Sequence, residues 1–191
     1  MKVLIVYGTT EGQTAKIANF VANRLILQHH QAVTTNIELG IEASDPAGFD
    51  AILVAASVHA GHYQPSVIEY VQKNRNAIAT RHNAFLSVSL AAAGRDPEDL
   101  AGLEHCVASF CQETGWTPEH VHHVAGAFRY TQYDFLKRWA MKYIAYRKGA
   151  PTDTSRDYEL TDWDDVERFV DTFTAIDPPR SQATQPAATV N

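Results

Sequence analysis

Apolar residues in this chain fall into short continuous runs separated by longer stretches in which they recur at helical spacing. Lys2 to Tyr7 is a β-branched run ending at Gly8, the pattern of a strand buried on both faces of a parallel sheet. Ala15, Ile17, Ala18, Val21, Ala22 and Leu25 then mark one helical face that runs to about Leu27, before a weaker strand near Val33 to Ile37. The clearest strand is Ala51 to Ala56. It leads through Ser57–Tyr63 into a helix carrying Val67, Ile68, Tyr70 and Val71, with Pro65 suited to its first turn. Ala84 to Leu90 predicts a fourth strand, followed by Ala91–Ala93 and a helix opening on Pro97, Glu98 and Asp99, acids that complement its dipole. A fifth strand is expected over Val121 to Ala127, and a last helix over Asp162 to Ala175 with Thr161 as its N-cap. Strands alternating with helices, joined by connections too long for hairpins, predict an α/β, flavodoxin-like doubly wound sheet of five parallel strands in the order 2-1-3-4-5.

Composition narrows the setting. With 191 residues, 45% of them hydrophobic, the chain suits one globular domain. That domain is expected over 1–176, with a helical insertion at about 129–152 and a disordered Ser/Gln/Ala/Thr/Pro tail over 177–191. A net charge of −6 argues against general nucleic-acid binding. No run approaches the ~20 apolar residues of a membrane span, and no signal pattern follows Met1, so a cytoplasmic location is expected. Cys106 and Cys111 form no CxxC pair and read as idle thiols pointing in different directions.

The loop after the first strand, Gly8-Thr9-Thr10-Glu11-Gly12-Gln13-Thr14, concentrates hydroxyls and backbone amides at a helix N-terminus. Such a terminus holds a phosphate without Lys or Arg. Glu11 is expected to face solvent. The loop is neither a Walker loop nor a GxGxxG fingerprint, which favours a mononucleotide flavin, FMN, over a dinucleotide. A Thr-rich cap that merely starts the helix is the plainer reading. At the switch point of such a sheet, the loops after the third and fourth strands should also reach the flavin. They offer Ser57, Val58, His59, Gly61, His62 and Tyr63, and then Ser89, Leu90, Ala91 and Ala92. Tyr63 as a helix-start residue, His62 as a turn residue and the alanines as relief of crowding are the alternatives.

Thr9–Thr14, Ala56–Tyr63 with its Gly61-His62-Tyr63, Ala125–Tyr130 and Thr152-Asp153-Thr154 together resemble the menaquinone-dependent protoporphyrinogen IX dehydrogenases over about residues 1–176. The resemblance implies oxidation of protoporphyrinogen IX to protoporphyrin IX through FMN, with a quinone as acceptor. The sequence departs from that family at His59, where a positive residue is expected, and around Ala91 to Arg95. Arg129 to Lys148 interleaves six basic residues with Tyr130, Tyr133, Phe135, Trp139, Tyr143 and Tyr146. This fits a helix that packs on one face and meets porphyrinogen propionates or lipid headgroups on the other; Arg129, Tyr130, Lys137 and Arg138 are the substrate candidates. A helix that only packs, its charges solvated, is the alternative. His120, His122 and His123 are not expected to bind metal, since alternate strand residues point to opposite faces and no acidic ligand is recognisable nearby. The competing functions are a flavodoxin-type electron carrier, a nicotinamide-fed quinone reductase, and an interaction module without flavin.

Overall fold

The computed structural model describes residues 1–40, 44–94, 97–128, 155 and 157–175. The basic segment Arg129 to Lys148, Arg95 and the tail lie outside the described residues. Five strands, β1 (Lys2–Tyr7), β2 (Gln31–Asn36), β3 (Ala51–Ser57), β4 (His82–Ser89) and β5 (His120–Ala125), form a parallel sheet in the order β2-β1-β3-β4-β5. The helices are α1 (Gln13–Leu27), α2 (Pro65–Ala79), α3 (Pro97–Thr114) and α4 (Trp163–Ala175).

Successive side chains of a strand point to opposite faces, so a run such as β1 feeds two cores at once. Val3, Ile5 and Tyr7 join Leu53, Leu86 and Val88 under α1 and α4; Leu4 and Val6 join Ile52, Val54 and Phe85 under α2 and α3. The resulting three-layer arrangement buries the sheet on both sides, which is why its strands read as continuous apolar runs.

Several boundaries differ from the sequence reading for local polar reasons. β2 stops at Asn36, whose side chain accepts the Glu38 N–H at 3.0 Å and turns Ile37–Leu39 into a short 3-10 helix. β5 breaks at Gly126, whose N–H donates to the Ser89 carbonyl, and β6 (Ala127–Phe128) then pairs antiparallel with β7 (Tyr158–Glu159). The N-cap of α4 is Asp162, which accepts the Asp165 N–H at 3.0 Å, rather than Thr161. Thr161 donates instead to the Ala125 carbonyl at 2.6 Å, while its hydroxyl oxygen accepts Gln13 Nε2 at 2.8 Å. Cys106 and Cys111 both pack against the core layer under α2 and α3, and burial raises both thiols, which suits idle groups. His30 is partly buried, its Nδ1 3.1 Å from the Met1 ammonium; burial and that charge lower its pKa.

At β5, His122 stacks on Phe169 and sets Nε2 2.9 Å from Asp165 Oδ2. Burial depresses its imidazole against the opposing pull of Asp165. A histidine whose folded pKa lies below its unfolded value binds its proton later in the folded state, so stability is lost as pH falls below about 6.5 toward the folded value. His122→Phe, which keeps the ring stack, should flatten the fall in urea midpoint between neutral and mildly acidic pH, leaving the part due to His30. Equal slopes for the two proteins would contradict this account.

Candidate functional site

Three connections lie side by side at the carboxyl end of the sheet, because β1, β3 and β4 are adjacent and parallel. They are residues 8–12, 58–64 and 90–94. Ligands of open α/β sheets bind at this edge, next to the point where the strand order reverses.

The first connection is shaped by glycine and threonine. Gly12 precedes α1 at φ 87, a left-handed conformation that favours glycine, and a Cβ there would meet nothing within 4 Å. No side chain caps α1. Its N-terminal dipole therefore faces the loop with no side chain on the capping residue itself. Thr9 Oγ1 accepts the Gly12 N–H at 3.0 Å and fixes the bend, while Thr10 is exposed. Glu11, expected in solvent, is half-buried. Gln13 and Thr14 are buried at 5% and 1% exposure, and the Gln13 amide is drawn to Thr161 rather than into the loop.

The second connection is a tight turn. His59 and His62 exchange both backbone hydrogen bonds, at 2.8 and 3.0 Å, around Ala60 (φ 49) and Gly61 (φ 84). Positive φ at both central positions is the hairpin geometry that matches strand twist. Both histidines are exposed on this turn, and Val58 anchors its base by donating its N–H to the Val88 carbonyl at 2.8 Å. Tyr63 corrects the sequence reading. Its ring does not face the site but is 5% exposed in the core, edge-on to Phe85 and Phe110, with its hydroxyl 2.8 Å from Ser87 Oγ. Ser87 is a fully buried hydroxyl on the α2/α3 face of β4 and needs a partner, which Tyr63 supplies. Burial pushes the Tyr63 phenol far above its ordinary value, so it stays protonated.

In the third connection, the Ser89 hydroxyl accepts the Ala92 N–H at 3.1 Å and holds Ala91–Ala93 in a single 3-10 turn. Leu90, Ala91 and Ala92 are half-buried and bring no aromatic lid over the site.

Gln64, which sequence reasoning passed over, ties two of these loops together. It is 6% exposed, accepts the Ser57 N–H at 3.2 Å, and donates Nε2 to Ser57 Oγ at 2.5 Å and to Thr10 Oγ1 at 3.4 Å. A glutamine directly before a Pro-initiated helix, in a loop otherwise built of small and exposed residues, was the available signal. At the opposite end of the sheet, His120 does have an acidic neighbour, contrary to expectation: Glu119, His82 and His120 bring ligand atoms within 4.8 Å of one another. His82, however, already uses Nδ1 on Glu119 (2.9 Å) and Nε2 on the Phe173 carbonyl (3.0 Å), joining β4 to α4.

The flavodoxin-domain family model matches residues 4–155. Protoporphyrinogen IX dehydrogenase (quinone) of Escherichia coli is 34% identical over 88% of this chain and 92% of its own. The enzyme of that name from Leishmania major is 30% identical over 95% of this chain and 80% of its own. This chain belongs to the protoporphyrinogen IX dehydrogenase family. Its fold is that of flavodoxins: oxidised flavodoxin 2 from Bacillus cereus superposes with a TM-score of 0.54 at 15% identity, covering 92% of this chain and 99% of that one.

As a protoporphyrinogen IX dehydrogenase family member, the chain should offer a place for a flavin mononucleotide, and the donor set fits one. The helix terminus without a side-chain cap, the open space at Gly12 and the Thr9 and Thr10 hydroxyls suit a phosphate. The turn of Ser57–His62 and the lidless Leu90–Ala92 segment stand beside it where a flat ring system would lie. Arg129, Tyr130, Lys137 and Arg138 lie outside the described residues.

Proposed function

We propose that this protein is an FMN-dependent dehydrogenase that oxidises protoporphyrinogen IX to protoporphyrin IX, in heme biosynthesis, and passes the electrons to a quinone such as menaquinone. The observation that carries the reaction is the likeness to the Escherichia coli and Leishmania major enzymes across almost the whole chain. When bound, FMN supplies hydride acceptance and electron transfer, so a nucleophile or paired carboxylates are not needed. The chain's own work is to bind and orient. The α1 terminus with Thr9 and Thr10 holds the phosphate, and the turn of Ser57, Val58, His59, Gly61 and His62 borders the ring. Ser89, Leu90, Ala91 and Ala92 leave one side accessible to a planar macrocycle. Arg129, Lys137 and Arg138 meet the substrate's propionates beside Tyr130, and the segment 129–148 touches the membrane surface where a lipid-soluble quinone resides. No helix among the described residues is long and apolar enough to cross a membrane.

The test is an anaerobic assay of the FMN-loaded protein with protoporphyrinogen IX and a menaquinone analogue, followed by porphyrin fluorescence. Fluorescence should rise only when flavin, substrate and quinone are all present. A loaded protein that makes no porphyrin overturns the assignment. Bleaching of the flavin by NADH or NADPH alone would instead support a nicotinamide-fed quinone reductase.

A further inference from the structure

The hydrogen-bond directions around Gln64 are fixed by what each neighbour is able to do. The Ser57 backbone N–H only donates, so the amide atom 3.2 Å away must be the carbonyl Oε1. Nε2 then faces two hydroxyls and donates to both, Ser57 Oγ at 2.5 Å and Thr10 Oγ1 at 3.4 Å. With its oxygen accepting from Gln64, Ser57 is left to donate its own hydrogen, and His59 Nε2 lies 3.1 Å from it. A hydrogen given that way places the proton of the His59 ring on Nδ1. Thr10, Ser57 and His59 are thus joined through Gln64, whose amide donates toward the phosphate loop on one side and toward the ring-side turn on the other.

Both hydrogens of the Gln64 carboxamide are used, and the residue has little room to move. Its backbone carbonyl accepts the N–H groups of Val67 and Ile68 at 3.0 and 3.2 Å, fixing the residue to the start of α2. Its Cβ and Cδ stand 3.4 Å from where a Gly8 Cβ would be, so β1 also closes on it. A movement of Thr10 is thus transmitted to Ser57 rather than absorbed.

We propose that Gln64 is a positioning residue that couples the phosphate end of the site to its ring end: an anion held at Thr9–Thr10 sets the geometry of Ser57 and the tautomer of His59. The inference rests on the FMN reading of the site. It makes the two ends of one ligand cooperative through the protein, so phosphate at one end improves binding of the ring at the other.

The probes are riboflavin, which lacks the phosphate, and inorganic phosphate, with binding read from quenching of flavin fluorescence on the full chain. In the wild type, saturating phosphate should tighten riboflavin about 5-fold or more, within the usual range of coupling between sites. Gln64→Met removes the bridge at similar volume, and Gln64→Glu keeps the acceptor for Ser57 N–H while losing the donor. In both, phosphate should no longer change riboflavin affinity, and imidazole nitrogen NMR should show His59 no longer held with its proton on Nδ1. A merely structural role would weaken riboflavin with and without phosphate alike and leave the tautomer in place. Undiminished coupling in both variants overturns this inference alone. A wild type that binds neither FMN nor riboflavin overturns the FMN reading and the coupling with it.

Discussion

Phe110→Ala is expected to destabilise the protein by about 3–5 kcal/mol, the usual cost of emptying a buried aromatic position. Phe110 is 2% exposed on α3 and lies flat on Phe85, with ring centroids 4.5 Å apart and planes at 5°. Tyr63 meets it edge-on at 5.1 Å and Trp116 at 6.3 Å. Four large rings from α3, β4, the turn before α2 and the loop after α3 thus fill the space between sheet and helices. Their removal one at a time leaves a cavity that rigid neighbours cannot close. For a chain of this length the melting temperature should fall by roughly 6–20 °C, at about 2–4 °C per kcal/mol. Phe110→Leu should cost much less, because it keeps most of the volume. Calorimetry on both variants checks this, and a fall of under about 2 °C for the alanine variant would show that the rings do not act as one packed layer.

The same ring cluster shows where sequence patterning reached its limit. Parallel strands buried on both faces and helices with one apolar stripe are local signals, so the strands and the helix that follows each of β1, β3 and β4 were legible from periodicity. The loop proposed to hold the phosphate could be picked out too, since Thr9, Thr10 and Gly12 sit between a strand and a helix in the chain itself. Tyr63 was not, because its place depends on Ser87, a hydroxyl twenty-four residues away whose need for a partner becomes visible only once β4 is laid beside β3. Gln64 and Thr161 escaped for the same reason: each polar side chain is explained by a distant oxygen or amide, Thr10 in one case, Gln13 and Ala125 in the other. Glu119 was overlooked as a neighbour of His120 because the pairing partner that completes the group, His82, comes from another strand. Apolar burial is encoded by spacing along the chain, whereas the satisfaction of buried polar groups is encoded by spacing across the sheet.

Gly8→Ala should weaken FMN binding by about 5- to 140-fold, and Val67→Ala should restore much of it. Gly8 needs to be glycine for space rather than for backbone freedom: an added Cβ would stand 2.6 Å from Val67 Cγ2 and 3.4 Å from both Cβ and Cδ of Gln64. Val67 is fully buried on α2 and cannot swing away. Relief must come from moving α2 or the loop, at the ~1–3 kcal/mol that overpacking costs. Gly8 also donates its N–H to the Ala55 carbonyl at 3.0 Å, which resists displacement of the β1 end. The strain therefore falls on the Thr9–Gly12 loop and on the Gln64 bridge, the two features proposed to hold the ligand. Spent wholly on binding, that cost converts at 1.4 kcal/mol per tenfold into the stated range. Because Val67→Ala removes the clashing methyl, the two substitutions should be non-additive, with an interaction energy of about 0.5–3 kcal/mol in a double-mutant cycle read by FMN titration. Additive losses would mean that the methyl clash is not what reaches the flavin, and would place the sensitivity in the loop backbone instead.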